Sequence, residues 1–540
     1  MRPTVLVVDD EQDFKDTLSG RLRLDGYEVI APPGIPPELQ EESLRVLQSQ
    51  RVDLAIVDMR QIRPRDPNDD SGRALIVAMK RQAPDLVVIA KTVYPPNPDI
   101  AIDLIRTELG ETGPLAVDYL RAADLTSPGA LEARVRAAFA RWVRINFALS
   151  FSAEGLGPPM IARTLANVGR SSTMSVEEET ELLFRRLYYE EGDGPIELRI
   201  EPLVEGKSNA KVMLATPRYT SGWREAEFVK IDTRGRIERE LDNYRDYVKG
   251  QIMHRRAPHE ERSAFTQRLG GFALTSLGIA PGDLQEFGDF YKQVNHSEVA
   301  GISAVVRDLF DETCGKWYRA AAPCSRSTRE WIGQEFGNWR RSFAIGIDLA
   351  TDGKSGDAML SFPSAPGVLV PNPLHYLAEI ILDRDYPEAV THGDLNARNL
   401  LVDRFGKTWL IDFYHTHPSH VARDFCRLEA TVLFELLESE NLGALIGLSE
   451  HLANVDSLEN TASYTDVPQI PEFGFATTVI GDIRGLAARA LGLGRGLTDY
   501  FAICACCALK SATYKDIAPI RRRHAIVHAA KLMESLRLRV

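Results

Sequence analysis

Residues 391–413 read THGDLNARNLLVDRFGKTWLIDF, and the intervals separating Asp394, Asn399 and Asp412 organise the reading of the whole chain. Leu400, Leu401 and Val402 form a short apolar run, Trp409, Leu410 and Ile411 form a second, and Phe405, Gly406 and Lys407 supply a turn between them. Two such runs around a glycine turn predict a β-hairpin. Its open end would gather Asp394, Asn399 and Asp412. Two carboxylates and an amide oxygen are costly to cluster unless a hard divalent cation lies between them, and Mg²⁺ suits this oxygen set.

The string H-G-D-L-x-x-x-N, followed on the next strand by I-D-F, resembles the catalytic and metal-binding loops of the protein-kinase-like superfamily. With Gly393 in second place it is similar to the aminoglycoside and choline phosphotransferase branch. The resemblance covers most of residues 190 to 440. It implies that Asp394 takes the proton of an accepting hydroxyl, and that Asn399 and Asp412 hold the Mg²⁺ that bridges the phosphates of ATP.

The chain has 540 residues, 44% hydrophobic and 26% charged, which is an ordinary globular composition with room for about three or four domains' worth of core. Its net charge of -12 argues against nucleic-acid affinity from bulk charge. The opening MRPTVLVVDDE holds an apolar run too short for a signal peptide, and no stretch reaches the length of a membrane span, so a cytoplasmic protein without a membrane partner is expected. Cys314, Cys324, Cys426, Cys504, Cys506 and Cys507 include no pair of C-x-x-C motifs, which argues against disulfides and zinc; the last three read as buried helix core.

Within residues 1–126 a pattern repeats: an apolar run ends at an acid or a hydroxyl, and a helical stripe follows. Val5 to Val8 end at Asp9 and Asp10, Leu54 to Val57 at Asp58, Leu86 to Ala90 near Thr92, and Ala116 to Leu120 form a last strand. The alternation predicts a parallel sheet with its active groups at the carboxyl ends of the strands. Asp9, Asp10 and Asp58 would converge there, which requires a cation or raised pKa values.

This arrangement resembles the receiver domain of bacterial response regulators, a five-stranded flavodoxin-like fold. By that likeness Asp58 is the phospho-acceptor, Asp9, Asp10 and Asp58 carry Mg²⁺, Thr92 is the switch hydroxyl, and a histidine kinase or other phosphodonor is the partner. Two departures stand out. Ala122 occupies the place of the expected lysine, and the loop after Asp58 is lengthened by QIRPRDPNDDS. Without that ammonium the phosphoryl donor and the product charge lose a partner, so a receiver that only docks partners is the alternative.

Leu131, Val135, Phe139 and Val143 share one stripe of a helix expected over Pro128 to about Phe147, a connector spanning 127–150. A kinase-like N-lobe is assigned to 151–280 and an enlarged helical C-lobe to 281–540. Glu197 to Val204 and Lys211 to Ala215 flank a hairpin tip containing Gly206 and Ser208, which either covers nucleotide phosphates or is a plain surface turn. Phe228 to Ile231 form a strand and Ile237 to Val248 a helix. The kinase resemblance gives Lys230 the nucleotide phosphates and Glu240 the pairing with Lys230; Glu238 is the alternative partner, and a surface ion pair the other reading. Phe272 to Leu277 is expected to be the hinge strand.

The segment 314–370 concentrates Trp317, Tyr318, Trp331 and Trp339 with several arginines, and reads as a substrate lid or as a packed helical insertion. Pro373 to Asp385 is expected to be a helix leading into the loop at 391. Asp424, in a D-x-x-R-L-E element, is expected to buttress that loop, and Arg521 to His524 to form a charged face.

The organisation expected is an α/β receiver joined to an α+β two-lobed kinase-like domain, similar also to domains described as ternary-complex-associated phosphotransferases. A signalling protein in which the receiver regulates an ATP- and Mg²⁺-dependent phosphotransferase follows. The alternative is a pseudokinase scaffold, but a scaffold needs none of Lys230, Asp394, Asn399 and Asp412. The phosphoryl acceptor, protein or small molecule, is not written in the sequence.

Overall fold

The computed structural model describes residues 1–63, 66, 69–92, 104, 114–165, 168–169, 174–202, 211–252, 256–257, 259–275, 284–294, 299–363, 365–379, 385–459, 471–492, 496–514 and 517–539. The chain forms two compact units: Met1–Glu238 with Glu260–Thr275, and Arg239–His259 with Ser276–Val540. Among the described residues no helix is long and apolar enough to cross a membrane.

The first unit opens with five parallel strands, β1 (Thr4–Val8), β2 (Glu28–Ile30), β3 (Leu54–Asp58), β4 (Val87–Thr92) and β5 (Asp118–Arg121), in the order β2-β1-β3-β4-β5. Their continuous apolar runs follow from burial on both faces. Val5, Val7, Leu54, Ile56, Val87 and Ile89 point to one side and pack with Leu18, Leu22, Leu131 and Val135. Leu6, Val8, Ala55, Val57, Val88 and Ala90 point to the other, against Leu39, Val46, Leu75, Ile76 and Met79. The chain order reverses direction between β1 and β3, and this places Asp9 and Asp58 side by side at the carboxyl edge.

The helix expected over Pro128–Phe147 is Ala130–Ala138, continued as a π-helical turn over Phe139–Val143 and ended by Arg144 in a left-handed conformation (φ 51°). Its stripe Leu131, Val135, Phe139 and Val143 is buried. That core does not stop at the receiver. It takes in Ile145 and Leu182, the latter on the helix Val176–Leu187, whose start is fixed by a capping box between Ser175 and Glu178. Arg185 of this helix donates to the carbonyls of Asn146 and Phe147, and Arg186 pairs with Asp85.

A second sheet in the first unit contains β6 (Ser150–Phe151), β7 (Glu197–Pro202), β8 (Lys211–Tyr219), β9 (Gly222–Trp223), β10 (Glu227–Thr233), β11 (His259–Phe265) and β12 (Leu269–Thr275), in the order β11-β12-β10-β8-β7-β6 with β9 on β8. Lys230 lies opposite Phe272 on β12 and Val212 on β8. Val229 and Ile231 enter the core of this sheet, so the period-two alternation sends Lys230, itself buried, to the opposite face. Gly206 and Ser208 lie outside the described residues, as does the end of the expected hinge strand.

In the second unit the strand pair Leu400–Asp403 and Thr408–Leu410 forms the expected hairpin, with Leu400 opposite Leu410 and Val402 opposite Thr408; Leu284–Glu286 adds a third strand. A separate antiparallel sheet pairs Ala322–Ser327, Asp385–Thr391 and His417–His420. The helix expected over Pro373–Asp385 is therefore shorter: it covers Pro373–Glu379, and Asp385–Thr391 enters the loop as a strand, in which Pro387 has no amide to give a helix. Helices Arg423–Thr431, Leu442–Ala453, Pro471–Leu491, Gly496–Ser511 and Pro519–Arg537 build the largest core, with Cys504, Cys506 and Cys507 inside it.

One reading is corrected in this unit, and another is narrowed to one of its two alternatives. Arg522 and His524 are buried rather than part of a charged face, because Pro519–Arg537 is packed on several sides; Arg522 donates to the carbonyls of Ala512 and Tyr514. The 314–370 aromatics are largely core. Trp317 and Trp331 are buried, their indole nitrogens donating to the Tyr247 carbonyl and the Ser419 hydroxyl, which supports the packed insertion over a lid.

Candidate active site

The loop at 391 is held from below. The amides of His392 and Gly393 donate to the two oxygens of Asp424 (2.7 and 2.8 Å), and the Tyr318 hydroxyl donates to the same carboxylate at 2.8 Å. Asp424 is completely buried, so these donors supply the solvation that its charge needs. Gly393 has φ 82°, and a Cβ there would run into the His415 carbonyl oxygen. Only glycine suits that backbone. His392 Nε2 lies 3.0 Å from the Ile411 carbonyl and so carries the proton, and the Ile411 amide donates to the Asn399 carbonyl at 3.1 Å. Loop and strand are thereby locked together.

Asp394 sits at the centre of this frame. Its Oδ2 accepts from Asn396 Nδ2 (3.1 Å) and Asn399 Nδ2 (3.3 Å), and its Oδ1 accepts from Arg427 Nε at 3.3 Å. Burial pushes its carboxyl upward, but the charge of Arg427, then His415 and His392, outweighs burial and holds it below the ordinary aspartate value. It is therefore ionised at neutral pH and able to accept a proton. Asn399 Nδ2 also donates to the Asp394 carbonyl at 2.8 Å, which assigns the amide orientation and leaves Oδ1 as the atom available to a cation.

Asp412 follows the hairpin with φ 68°, a left-handed conformation that a non-glycine residue adopts at a cost of about 1–3 kcal/mol. His415 lies within the electrostatic reach of both acids: burial lowers its pKa, while Asp394 and Asp412 oppose that shift. The Phe413 amide donates to Glu240 Oε1 at 3.3 Å, and Asn243, on the same helical face, donates to the Phe413 and Tyr414 carbonyls at 3.1 and 2.8 Å. Glu238, the alternative to Glu240, accepts from Arg234 Nε at 2.7 Å. His415 and Asn243 have no role in the sequence analysis, and Arg427 enters it only as the arginine of the D-x-x-R-L-E element that begins at Asp424. For Asn243 the available signal is its i, i+3 spacing from Glu240.

The receiver's acids converge as the pattern implies. One oxygen from each of Asp9, Asp10 and Asp58 falls within 4.8 Å of the others. The absence of a lysine at 122, however, does not leave the cluster without an ammonium. Lys91 on β4, directly opposite Asp58 on β3, places its Nζ against Asp9 and 3.1 Å from Asp58 Oδ2. It is 1% exposed, with Nζ 4.9 Å from the centre of the Phe14 ring. Ala122 is exposed at the start of the helix Ala122–Thr126. The signal in the sequence was a lysine closing the apolar run of a doubly covered strand, where a cation requires a buried partner.

Burial raises the Asp58 carboxyl to about 6, with Lys91 acting in the opposite direction. Burial disfavours the charged form of Lys91, but Asp58 and Asp9 outweigh it and hold its pKa above the ordinary lysine value. Asp10 Oδ1 is buried without a hydrogen-bond partner. Three converging carboxylates, one with an unsatisfied oxygen, fit a hard divalent cation even after Lys91 has neutralised one charge. Thr92 is buried beside Lys91.

The model of ternary complex associated domain 9 matches residues 340–510. No curated protein matches the chain. Among solved structures, a response regulator from Thermotoga maritima is 23% identical over 26% of this chain and 95% of its own, with a TM-score of 0.19. The ADP-bound aminoglycoside phosphotransferase APH(2'')-Ib is 16% identical over 44% of this chain and 71% of its own, at 0.28. The aminoglycoside phosphotransferase APH(3'')-Id from Streptomyces rimosus is 14% identical over 53% and 92%, at 0.25. The N-terminal sheet has the strand order of a flavodoxin-like doubly wound fold, and the C-terminal region is helical.

Proposed function

We propose that this chain is a signalling phosphotransferase in which a receiver biases the transfer of a phosphoryl group from ATP to a hydroxyl. The observation that carries the reading is Asp394: an ionised carboxylate oriented by Arg427, Asn396 and Asn399, in a loop whose backbone is anchored on Asp424. In the reaction Asp394 accepts the proton of the acceptor hydroxyl as it attacks. Asn399 Oδ1 and the Asp412 carboxylate would hold Mg²⁺, which would offset the negative charge of the nucleotide phosphates. Lys230 is assigned to the nucleotide phosphates, and Glu240 keeps the supporting role that the kinase resemblance gives it. Asp412→Ala should weaken Mg²⁺-dependent ATP binding by at least about tenfold, since one charged metal ligand is lost. Calorimetry with and without Mg²⁺ tests this, and equal affinity in both proteins would remove Asp412 from the site.

Asp58 is assigned as the phospho-acceptor, served by a histidine kinase or another phosphodonor with Mg²⁺ at Asp9, Asp10 and Asp58. The route from receiver to kinase-like sheet is the shared core in which Leu131, Val135, Phe139 and Val143 pack with Leu182. A receiver state that differs by about 1–3 kcal/mol in its packing there would shift the active population about 5- to 150-fold. Beryllofluoride treatment should therefore change transferase activity in wild type and not in Asp58→Ala. The same activity before and after treatment in wild type would leave the receiver a docking module.

A further inference from the structure

We propose that Lys91 is the cation that receives the phosphoryl group at Asp58, doing from β4 what a lysine at position 122 cannot do here. This rests on the reading of Asp58 as a phospho-acceptor. It deepens that reading by naming the residue that makes the site competent.

Three observations converge. Lys91 and Asp58 are register partners on adjacent parallel strands, so the lysine stem needs no loop to bring it to the acid. Its ammonium is anchored on Asp9 while lying 3.1 Å from Asp58 Oδ2, which puts it beside the oxygens where the new charge will appear. It is enclosed, with the Phe14 ring against it, so its electrostatic effect is not dissipated in solvent.

In the step itself an Asp58 oxygen attacks the phosphorus of an acyl phosphate. The Asp58 oxygen to phosphorus bond forms, the bond from phosphorus to the acyl oxygen breaks, and the electron pair leaves on the departing carboxylate. No proton moves. Lys91 stays protonated and exchanges part of its contact with Asp58 for the phosphoryl oxygens, a charge-assisted pairing. The same ammonium competes with a divalent cation for Asp9 and Asp58, and this separates its two effects: without Lys91 the acids should hold Mg²⁺ at least as well, yet transfer should slow.

The test uses the full-length protein with acetyl phosphate as donor, and Mg²⁺ alone as the ligand in a parallel calorimetric titration for which Asp10→Asn is the blank. Wild type should be labelled at Asp58, and Asp58→Ala should not. Lys91→Met should bind Mg²⁺ with equal or higher affinity and be labelled about 10²-fold more slowly. Labelling of Lys91→Met at the wild-type rate overturns the assignment. Joint loss of Mg²⁺ binding and labelling in a folded variant also overturns it, by making the lysine a packing residue. Should the Met variant not fold, Lys91→Gln, which keeps a donor for Asp9, carries the same expectations. Absence of labelling in wild type instead sinks the phospho-acceptor reading beneath the proposal.

Discussion

Asp394→Asn should lower phosphoryl transfer by about 10²- to 10⁴-fold, the usual contribution of a positioned general base, while leaving affinity for Mg²⁺-ATP near that of wild type. The asymmetry follows from what the substitution spares. Asn399 is held chiefly through the Asp394 backbone carbonyl at 2.8 Å, and the His392 and Gly393 amides remain on Asp424, so the metal-side residues keep their frame. What goes is the negative charge. An amide cannot accept the hydroxyl proton, and its NH₂ can no longer accept a hydrogen bond from Arg427 or from the neighbouring asparagines. Labelled ATP with a panel of protein and small-molecule hydroxyl acceptors provides the measurement. Unchanged turnover in the variant would move the base elsewhere, and no turnover in wild type across the panel would favour the scaffold reading.

Arg484→Met should cost the second unit about 3–5 kcal/mol, because it strands a buried carboxylate. Arg484 and Glu429 are both fully enclosed. Arg484 donates through Nε to Oε2 (2.9 Å) and through Nη2 to Oε1 (2.6 Å), Tyr500 adds a hydroxyl at 2.6 Å, and Arg484 Nη1 reaches the Leu452 carbonyl at 2.7 Å. Cys504 and His528 lie close enough to Glu429 to suggest a metal centre, but both carboxylate oxygens are already taken by donors, and the guanidinium repels a cation. The network is an ion pair.

Its pH dependence has a definite sign. Burial opposes the Glu429 charge, but Arg484 outweighs burial and holds the carboxyl far below the ordinary value. The stabilisation is thus fully present above the unfolded glutamate pKa of about 4.3 and is lost as pH falls through the folded value. Removing Arg484 reverses this, since the stranded acid prefers its proton, so the deficit of the variant should shrink on acidification. Chemical denaturation at neutral and mildly acidic pH reads both effects, and a neutral-pH loss below about 1 kcal/mol would place the pair among surface bridges.

Periodicity carried the fold a long way, for a physical reason. The apolar runs of the N-terminal sheet are the strands of a doubly covered sheet, and Leu400 to Val402 pair with Thr408 to Leu410 in the hairpin that the two short runs suggest, because both signals are local. The helix expected up to Asp385 failed where Asp385–Thr391 pairs with strands distant in sequence on either side. The aromatic segment near Trp317 and Trp331 was open to two readings because burial is decided by what packs on it.

The same distinction runs through the candidate site. Asp394, Asn399 and Asp412 are close in the chain, and their spacing was readable. Arg427 meets Asp394 across 33 residues and Asn243 meets Phe413 across 170, and no pattern within a short window encodes such contacts. Lys91 was hidden differently. Ala122 stands after β5 where the receiver resemblance places a lysine, whereas the ammonium arrives from the adjacent strand β4.

The core that runs from the receiver sheet through Phe139 and Val143 to Leu182 bears on how separable the parts of this chain are. A cut after Thr126 strips Leu131 and Val135 from the face of β1 and β3 and leaves Leu182 on an uncovered helix. Neither fragment then keeps the apolar surface it was built to bury. The receiver is consequently not a cassette to be excised or exchanged at its sequence boundary. A chimera that exchanges this five-stranded sheet for another must carry the helix Ala130–Ala138 and its π-turn along with it, and must match the surface of Val176–Leu187 that receives them.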